Sequence, residues 1–228
     1  MHGLDRPVWE SLSTYHGRLA EGDDRARRFV RDVNVFASSR DDDPEALAAL
    51  ADLVRPGESV YLLQAPRIAI PAALTALREA KGVQMIAPLG TPFEPPQHDM
   101  LPLADADAPE MLALAKLTEP GPFLPRTHLM GSFLGIRIAG RLAAMAGERM
   151  RFPGHTEVSG VCTHPDFRGR GLARRLSAAV AHRIQARGEQ AFLHAWKSNH
   201  AAIALYGSLG FVLRTEVNVA ELRRDSSP

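Results

Sequence analysis

The residues best equipped for chemistry lie between Thr156 and Arg174, in the stretch TEVSGVCTHPDFRGRGLAR. Val158, Val161 and Thr163 give its first half the β-branched character of a strand. His164-Pro165-Asp166 ends that strand, because proline brings no N–H to a ladder, and Arg168-Gly169-Arg170-Gly171 follows as a turn open to unusual dihedrals. From Leu172 the period changes. Leu172, Leu176, Val180 and Ile184 recur every fourth residue beside Ala173 and Ala179, which predicts one apolar face of a helix ending near Gly188. A strand passing through a glycine-rich turn into a helix N-terminus holds anions: the first helical N–H groups lack internal partners, and glycines let a phosphate reach the backbone. A phosphate-bearing ligand is therefore expected. It is not held by a dinucleotide fingerprint, which needs glycine where Arg174 stands, nor by a P-loop, whose Gly-Lys-Ser/Thr is absent.

A second cluster is NHAAIALYGSLGF, Asn199 to Phe211. Seven residues separate Asn199 from Tyr206, so at about 100° per residue they share a helix face, roughly 10 Å apart along the axis, a span suited to one extended ligand. Glu157 stands four positions before Val161 and, under strict alternation, on the same strand face. Cys162 falls on the opposite face from Val161 and reads as core; a nucleophilic role would require covalent, ping-pong chemistry. His194 lies on a buried-strand pattern and reads as a hydrogen-bonded core histidine, and the scattered histidines give no metal spacing.

Arg168-Gly169-Arg170-Gly171-Leu172-Ala173, after a strand ending Val161-Cys162-Thr163, resembles the acetyl-CoA pyrophosphate loop of the GCN5-related N-acetyltransferases (GNAT superfamily), with the pattern Arg-x-x-Gly-x-Gly/Ala intact. The second cluster resembles the same family's Asn-x-x-Ala-x-x-x-Tyr-x-x-x-Gly-Phe signature. The resemblance covers residues 96–223, and Gly131 to Phe211 is most similar to the FR47-like subgroup. It implies an α+β fold with a mixed, largely antiparallel, splayed sheet flanked by helices, and an enzyme that moves an acetyl group from acetyl-CoA to a primary amine of a small molecule or peptide, with no metal. Val161 and Thr163 would bind the pantetheine arm through main-chain atoms, and an N–H near Val161 would stabilise the oxyanion. Gly169, Arg170, Gly171, Leu172 and Ala173 would donate N–H groups to the pyrophosphate while Arg168 adds charge and orders the turn. Asn199 would hydrogen-bond the pantetheine, and Tyr206 would protonate the leaving thiolate. His164 would orient the turn. Glu157 resembles the catalytic glutamate of histone-type members and could act as general base through a water. Glu148 and His155 compete for that role, and many members use no dedicated base. Two other readings stay open: a catalytically silent acetyl-CoA-binding or sensing module, and a nucleotide-binding module.

The elements that must position these groups follow from periodicity. Residues 1 to about 40 read as charged and loosely helical, with Trp9, Leu12, Tyr15 and Leu19 at helical spacing. Asp43-Pro44-Glu45 starts a helix that Pro56-Gly57 stops. Ser59 to Leu63 reads as a strand, Pro71 to Lys81 as a second helix, and Val83 to Ala87 as a second strand. Pro88 to Pro96 is rich in turn formers and marks a boundary between an N-terminal α/β region, 1–90, of unknown role and an acetyltransferase domain, 96–228. Beyond it, His98 to Leu103 reads as a strand, Pro109 to Leu117 as a helix, and Glu119 to Met130 as an irregular loop of the kind that, in the family resembled, often borders the acceptor pocket. Gly131 to Ile138 and Leu142 to Glu148 form a hairpin, Ala191 to Trp196 a buried strand, Asn199 to Leu209 a helix, and Phe211 to Leu222 a terminal strand.

The chain has 228 residues and 45% hydrophobic content, enough for a packed core. Its 27 basic and 26 acidic side chains leave a net charge of +1, so no global field draws it to nucleic acid or an anionic membrane. The basic string RGRGLARR lacks the interleaved aromatic residues of an RNA-binding patch. A single cysteine rules out an intrachain disulfide framework and fits a reducing cytoplasm. The opening MHGLDRPVWE has no apolar signal segment, and no run of 18 apolar residues occurs. Glu148 and Glu157 would favour a cationic acceptor.

Overall fold

The computed structural model describes residues 2–225. Its centre is an eight-stranded sheet whose seven strand pairs are all antiparallel except one. In chain order its strands are β4 (Ser59–Gln64), β5 (Thr75–Ile86), β6 (Met100–Leu103), β7 (Phe133–Ile138), β8 (Arg141–Phe152), β9 (His155–Thr163), β10 (Gln190–Trp196) and β11 (Val212–Arg223). They lie in the order β4-β11-β5-β10-β9-β8-β7-β6. A small sheet of β1 (Ala20–Gly22), β2 (Ala26–Phe29) and β3 (Ala37–Ser39) precedes them. The helices are α1 (Pro7–Ser13), α2 (Pro44–Asp52), α3 (Ala108–Thr118), α4 (Leu172–Ala186) and α5 (His200–Ser208). This is the mixed, mostly antiparallel α+β architecture expected from sequence.

Helix α4 buries the apolar face read from its four-residue repeat. Leu172, Leu176, Val180 and Ile184 pack with Leu134, Ile136, Val158 and Leu193 in one core. Met111 and Leu114 of α3 cover another part of the sheet with Met145 and Cys162. Leu4, Val8 and Leu12, from the N-terminal residues, pack on Met150, Phe152, Phe192 and Val217. Residues alternate across a strand, so Leu193 belongs to the α4 side and Phe192 to the α1 side.

Two elements differ from the sequence reading. Residues 71–81, expected as a helix, belong mainly to β5, a single strand running through to Ile86. The segment TALREAK is rich in helix formers, but it pairs along its length with β11 and runs straight into residues 82–86, which are held by β11 on one edge and β10 on the other, and that ladder outweighs local preference. Residues 20–39, read as loosely helical, form the small sheet. Strand β5 also sits between β10 and β11, so residues placed by sequence in an N-terminal region are built into the sheet that carries the site. The expected break at 88–96 is a connection between strands of one sheet.

Candidate active site

Among the described residues, β9 and β10 form the one parallel strand pair of the large sheet, and their pairing stops at Phe192 opposite Glu157. Beyond it, residues 158–163 have no strand partner on that side among the described residues, while β10 continues along β5 to Trp196 opposite Gly82. The two strands therefore part, and a cleft of about 690 Å³ opens between them. Within β9 the register with β8 jumps between Cys162 opposite Met145 and Ser159 opposite Gly147, which places an extra residue at Gly160-Val161. Gly160 has φ +62°, and a Cβ there would lie 2.9 Å from the Phe133 ring. Glycine is required on both counts.

The bulge also breaks the alternation from which Glu157 and Val161 were assigned to one face. Val158 and Val161 pack on the α4 side, whereas Cys162 is buried on the α3 side. Glu157 turns away from α4, towards Arg149 and His194. Burial pushes the Cys162 thiol up to about 11, against weaker opposing contacts from Thr118 and Met145.

After β9 the His164 ring accepts from the Asp166 N–H at 3.2 Å and meets Arg141 at 2.9 Å, so it orders the turn. Gly169 and Gly171 have φ +76° and +70°, and a Cβ at either would meet nothing within 4 Å. The backbone dihedral demands glycine there while the space in front stays open. No backbone hydrogen bond is made by the N–H groups of residues 169–174 among the described residues; the first at this end of α4 is Arg175 N–H to Gly171 carbonyl, 3.0 Å. Six donors, the helix N-terminus and the side chains of Arg168, Arg170 and Arg174 converge on this end of the cleft. Arg174, at the position where a dinucleotide fold has glycine, reaches the Ser208 carbonyl at 3.2 Å and ties α4 to α5.

Helix α5 forms the adjoining wall. Asn199 caps it, its Oδ1 accepting from Ala202 N–H at 3.0 Å, and Asn199, Ala202, Leu205 and Tyr206 all line the cleft. Burial, then the negative charge of Glu157, pushes the Tyr206 phenol up to about 12. Val161, Thr163, Arg168, Gly169, Arg170, Gly171, Leu172 and Ala173 line the same cleft. The structure thus brings together every residue singled out for coenzyme contact, with Tyr206.

Glu157 is not among the lining residues. Its side chain is 1% exposed, and its carboxylate accepts from Arg149 Nε at 2.7 Å and Nη2 at 2.6 Å and from His194 Nδ1 at 2.7 Å. Burial would raise this carboxyl, but the Arg149 charge and the hydrogen bonds from Arg149 and His194 outweigh it and hold it at about 2. The tautomer of His194 follows from its far side. Arg214 Nη1 donates to Gln84 Oε1 at 2.8 Å, so the Gln84 amide nitrogen faces His194 Nε2 at 3.0 Å, which must accept. Nδ1 then carries the proton donated to Glu157. Of the competing groups, Glu148 pairs with Arg187 at 2.9 Å, and His155 stacks on Phe152 at the opposite end of β9; neither lines the cleft.

Comparisons with known proteins bear on the family. Residues 133–219 match the family model described as FR47-like protein. A solved structure from Novosphingobium aromaticivorans DSM 12444, assigned to the GNAT family of acetyltransferases, is 42% identical, with 99% of this chain and 100% of that one covered at a TM-score of 0.92. The chain belongs to the GNAT family. A GNAT protein from Kribbella flavida shares the fold at 18% identity and TM-score 0.65, covering 100% of this chain and 98% of its own. So does a functionally unknown protein from Staphylococcus epidermidis, at 10% identity, TM-score 0.58 and 94% and 99% coverage. No curated protein matches the chain. Among the described residues, no helix is long and apolar enough to cross a membrane, and no group of three or more metal-ligating side chains is assembled.

For this GNAT chain, the start of the loop expected to border the acceptor pocket, Glu119 to Pro122, lines the cleft, but sequence reasoning singled out no residue at the far end. Phe36, Tyr61, Leu63, Gly82, Arg149, Val217 and Val219 line it. None belongs to a motif, and most come from the N-terminal residues or from a strand whose neighbours the sequence did not reveal.

Proposed function

We propose that this GNAT protein transfers an acetyl group from acetyl-CoA to a primary amine. One observation carries the proposal: the parting of β9 and β10 opens, past the bulge at Gly160-Val161, directly onto the unpaired N–H groups of residues 169–174. A ligand with a diphosphate at one end and a reactive acyl group at the other fits that continuity. The residues present suit CoA. The N–H groups and Arg168 and Arg170 would take its diphosphate, the unpaired edge at Val161 and Thr163 its pantetheine amides, and the Nδ2 of Asn199 a carbonyl along the arm. Acetyl-CoA supplies a thioester carbonyl open to attack by an amine.

The chain's own part is then to position and polarise. The unpaired backbone edge at the bulge offers N–H donation where negative charge develops on the carbonyl oxygen. Tyr206, held at about 12, stays protonated at neutral pH. A thiol of ordinary cysteine-like acidity, near 8.5, is the stronger acid by about 3.5 pH units, so Tyr206 stabilises the leaving sulfur by donating a hydrogen bond more than by surrendering its proton. Glu157 fixes Arg149 and the His194 tautomer at the cleft wall and acts as a positioning residue. The deprotonated amine then comes from the acceptor's own equilibrium with water.

Titration calorimetry with acetyl-CoA, CoA and ATP, followed by thiol release from acetyl-CoA in the presence of primary amines, tests the proposal. Binding of both CoA forms with amine-dependent thiol release supports it. Preference for ATP, or binding with no release against any amine, overturns it in favour of a nucleotide-binding or a silent acetyl-CoA-binding module.

A further inference from the structure

The far end of the cleft differs from the phosphate end in both chemistry and origin. Its floor is continuous across three strands: Leu63 on β4 is opposite Val219 on β11, and Val217 on β11 is opposite Gly82 on β5. A Cβ on Gly82 would lie 3.1 Å from Val217, so glycine keeps that floor low. Phe36 and Tyr61 form a wall, joined by a backbone bridge, their rings edge to face at 6.4 Å. The Tyr61 hydroxyl is committed to Glu221 at 2.9 Å. Arg149 lies over the Phe36 ring at 5.0 Å and the enclosed Glu157 balances its charge, while the cleft's other charged side chain away from the phosphate turn, among the described residues, is the exposed Glu119 that follows α3. Glu148 and Glu157, which from sequence favoured a cationic acceptor, offer no carboxylate to this space.

From this we infer that the end of the cleft walled by Phe36, Tyr61, Leu63, Val217 and Val219 is the acceptor subsite, and that it selects a primary amine carried on an uncharged, apolar body of aromatic or branched-aliphatic size. The inference rests on the acetyl-transfer reading above and names its substrate class. A polycation would have to shed water against the apolar walls of Phe36, Leu63, Val217 and Val219 beside the positive charge of Arg149, a doubly unfavourable exchange. An apolar amine gains from the same walls. Burial also disfavours an ammonium, lowering the pKa of the bound amine and raising the fraction with a free lone pair. The subsite thereby does part of the work of a general base. It also gives the N-terminal residues a role, since Phe36, Tyr61, Leu63 and Gly82 all precede the connection at 88–96.

The test compares kcat/KM for phenylethylamine and isoamylamine with that for putrescine, spermidine and a lysine-rich peptide, read as thiol release at saturating acetyl-CoA. The apolar amines are expected to lead by at least about tenfold. Phe36→Ala should raise KM for phenylethylamine about tenfold or more and leave the calorimetric Kd for acetyl-CoA unchanged. Because that variant enlarges a packed wall, Val219→Asp serves beside it: a carboxylate on the half-buried floor should shift the spermidine-to-phenylethylamine ratio towards spermidine by about tenfold. A preference for the polyamines or the lysine peptide, or an unshifted ratio in folded Val219→Asp, overturns the inference and leaves acetyl transfer standing. Failure to bind acetyl-CoA overturns the transfer reading itself, and binding without release from any amine overturns both.

Discussion

Replacing Glu157 with glutamine separates a positioning carboxylate from a catalytic base. The side chain keeps its shape and loses its charge, while Arg149, 2.6 and 2.7 Å away, stays enclosed. Breaking a buried pair from one side costs about 3–5 kcal/mol. The carboxyl itself gives a matching figure: held at about 2 against an ordinary 4.5, it is displaced by about 2.5 units, which at 1.36 kcal/mol per unit is about 3 kcal/mol. For a chain of this length that corresponds to a melting temperature lowered by roughly 6–12 °C at pH 7. The sign with pH follows from the depressed value. The carboxylate's contribution is complete above about 4.5 and disappears as pH falls towards about 2, so the gap between wild type and variant should narrow over that window. Calorimetric melts of both proteins from pH 7 to pH 3, with kcat/KM profiles from pH 6 to 9, measure it. A positioning role predicts the stability gap and an unchanged profile shape. Equal melting temperatures, a 10²–10⁴-fold fall in kcat/KM and loss of an acidic limb would refute the reasoning and make Glu157 the base.

Three further outcomes are expected. Tyr206→Phe should lower kcat about tenfold, the worth of one hydrogen bond to a charged sulfur, with the acetyl-CoA KM within twofold and no new pH dependence below pH 10; an unaltered kcat removes Tyr206 from the reaction. Gly160→Ala forces alanine to φ +62° with its Cβ 2.9 Å from Phe133, a strain of about 1–2 kcal/mol, and should lower both the melting temperature and kcat; wild-type turnover would show that the bulge's backbone takes no part. Residues 96–228 expressed alone would lack β5 from between β10 and β11 and should not melt cooperatively, as read by circular dichroism, whereas a cooperative transition would show that they fold alone.

What could be read from the sequence is what is local. The strand-turn-helix around Gly169 and Gly171 and the cap and face of α5 are each written within about twenty residues, where helix geometry alone relates one side chain to the next. The turn between β7 and β8 at Ala139-Gly140 was legible for the same reason, with φ +50° and +78° at its two centres. Strand β5 was not, because Ala76, Leu77, Glu79 and Lys81 favour a helix and only distant strands make them a ladder. Nor was the Glu157 environment. A one-residue bulge at Gly160-Val161 and a second register shift in β8 between Glu148 and Arg151 decide which faces its neighbours occupy, and neither leaves a pattern in sequence. The far end of the cleft was hidden most completely, since Phe36, Leu63 and Val219 meet only through the assembled sheet.

The claim on which the rest depends is that the opening between β9 and β10 receives acetyl-CoA. A crystal structure grown with CoA tests it most directly. The account predicts the diphosphate on the N–H groups of residues 169–173, the pantetheine along Val161 and Thr163 with Asn199 beside it, and the sulfur next to Tyr206. A coenzyme bound elsewhere, or a cleft left empty at saturating CoA, would contradict it.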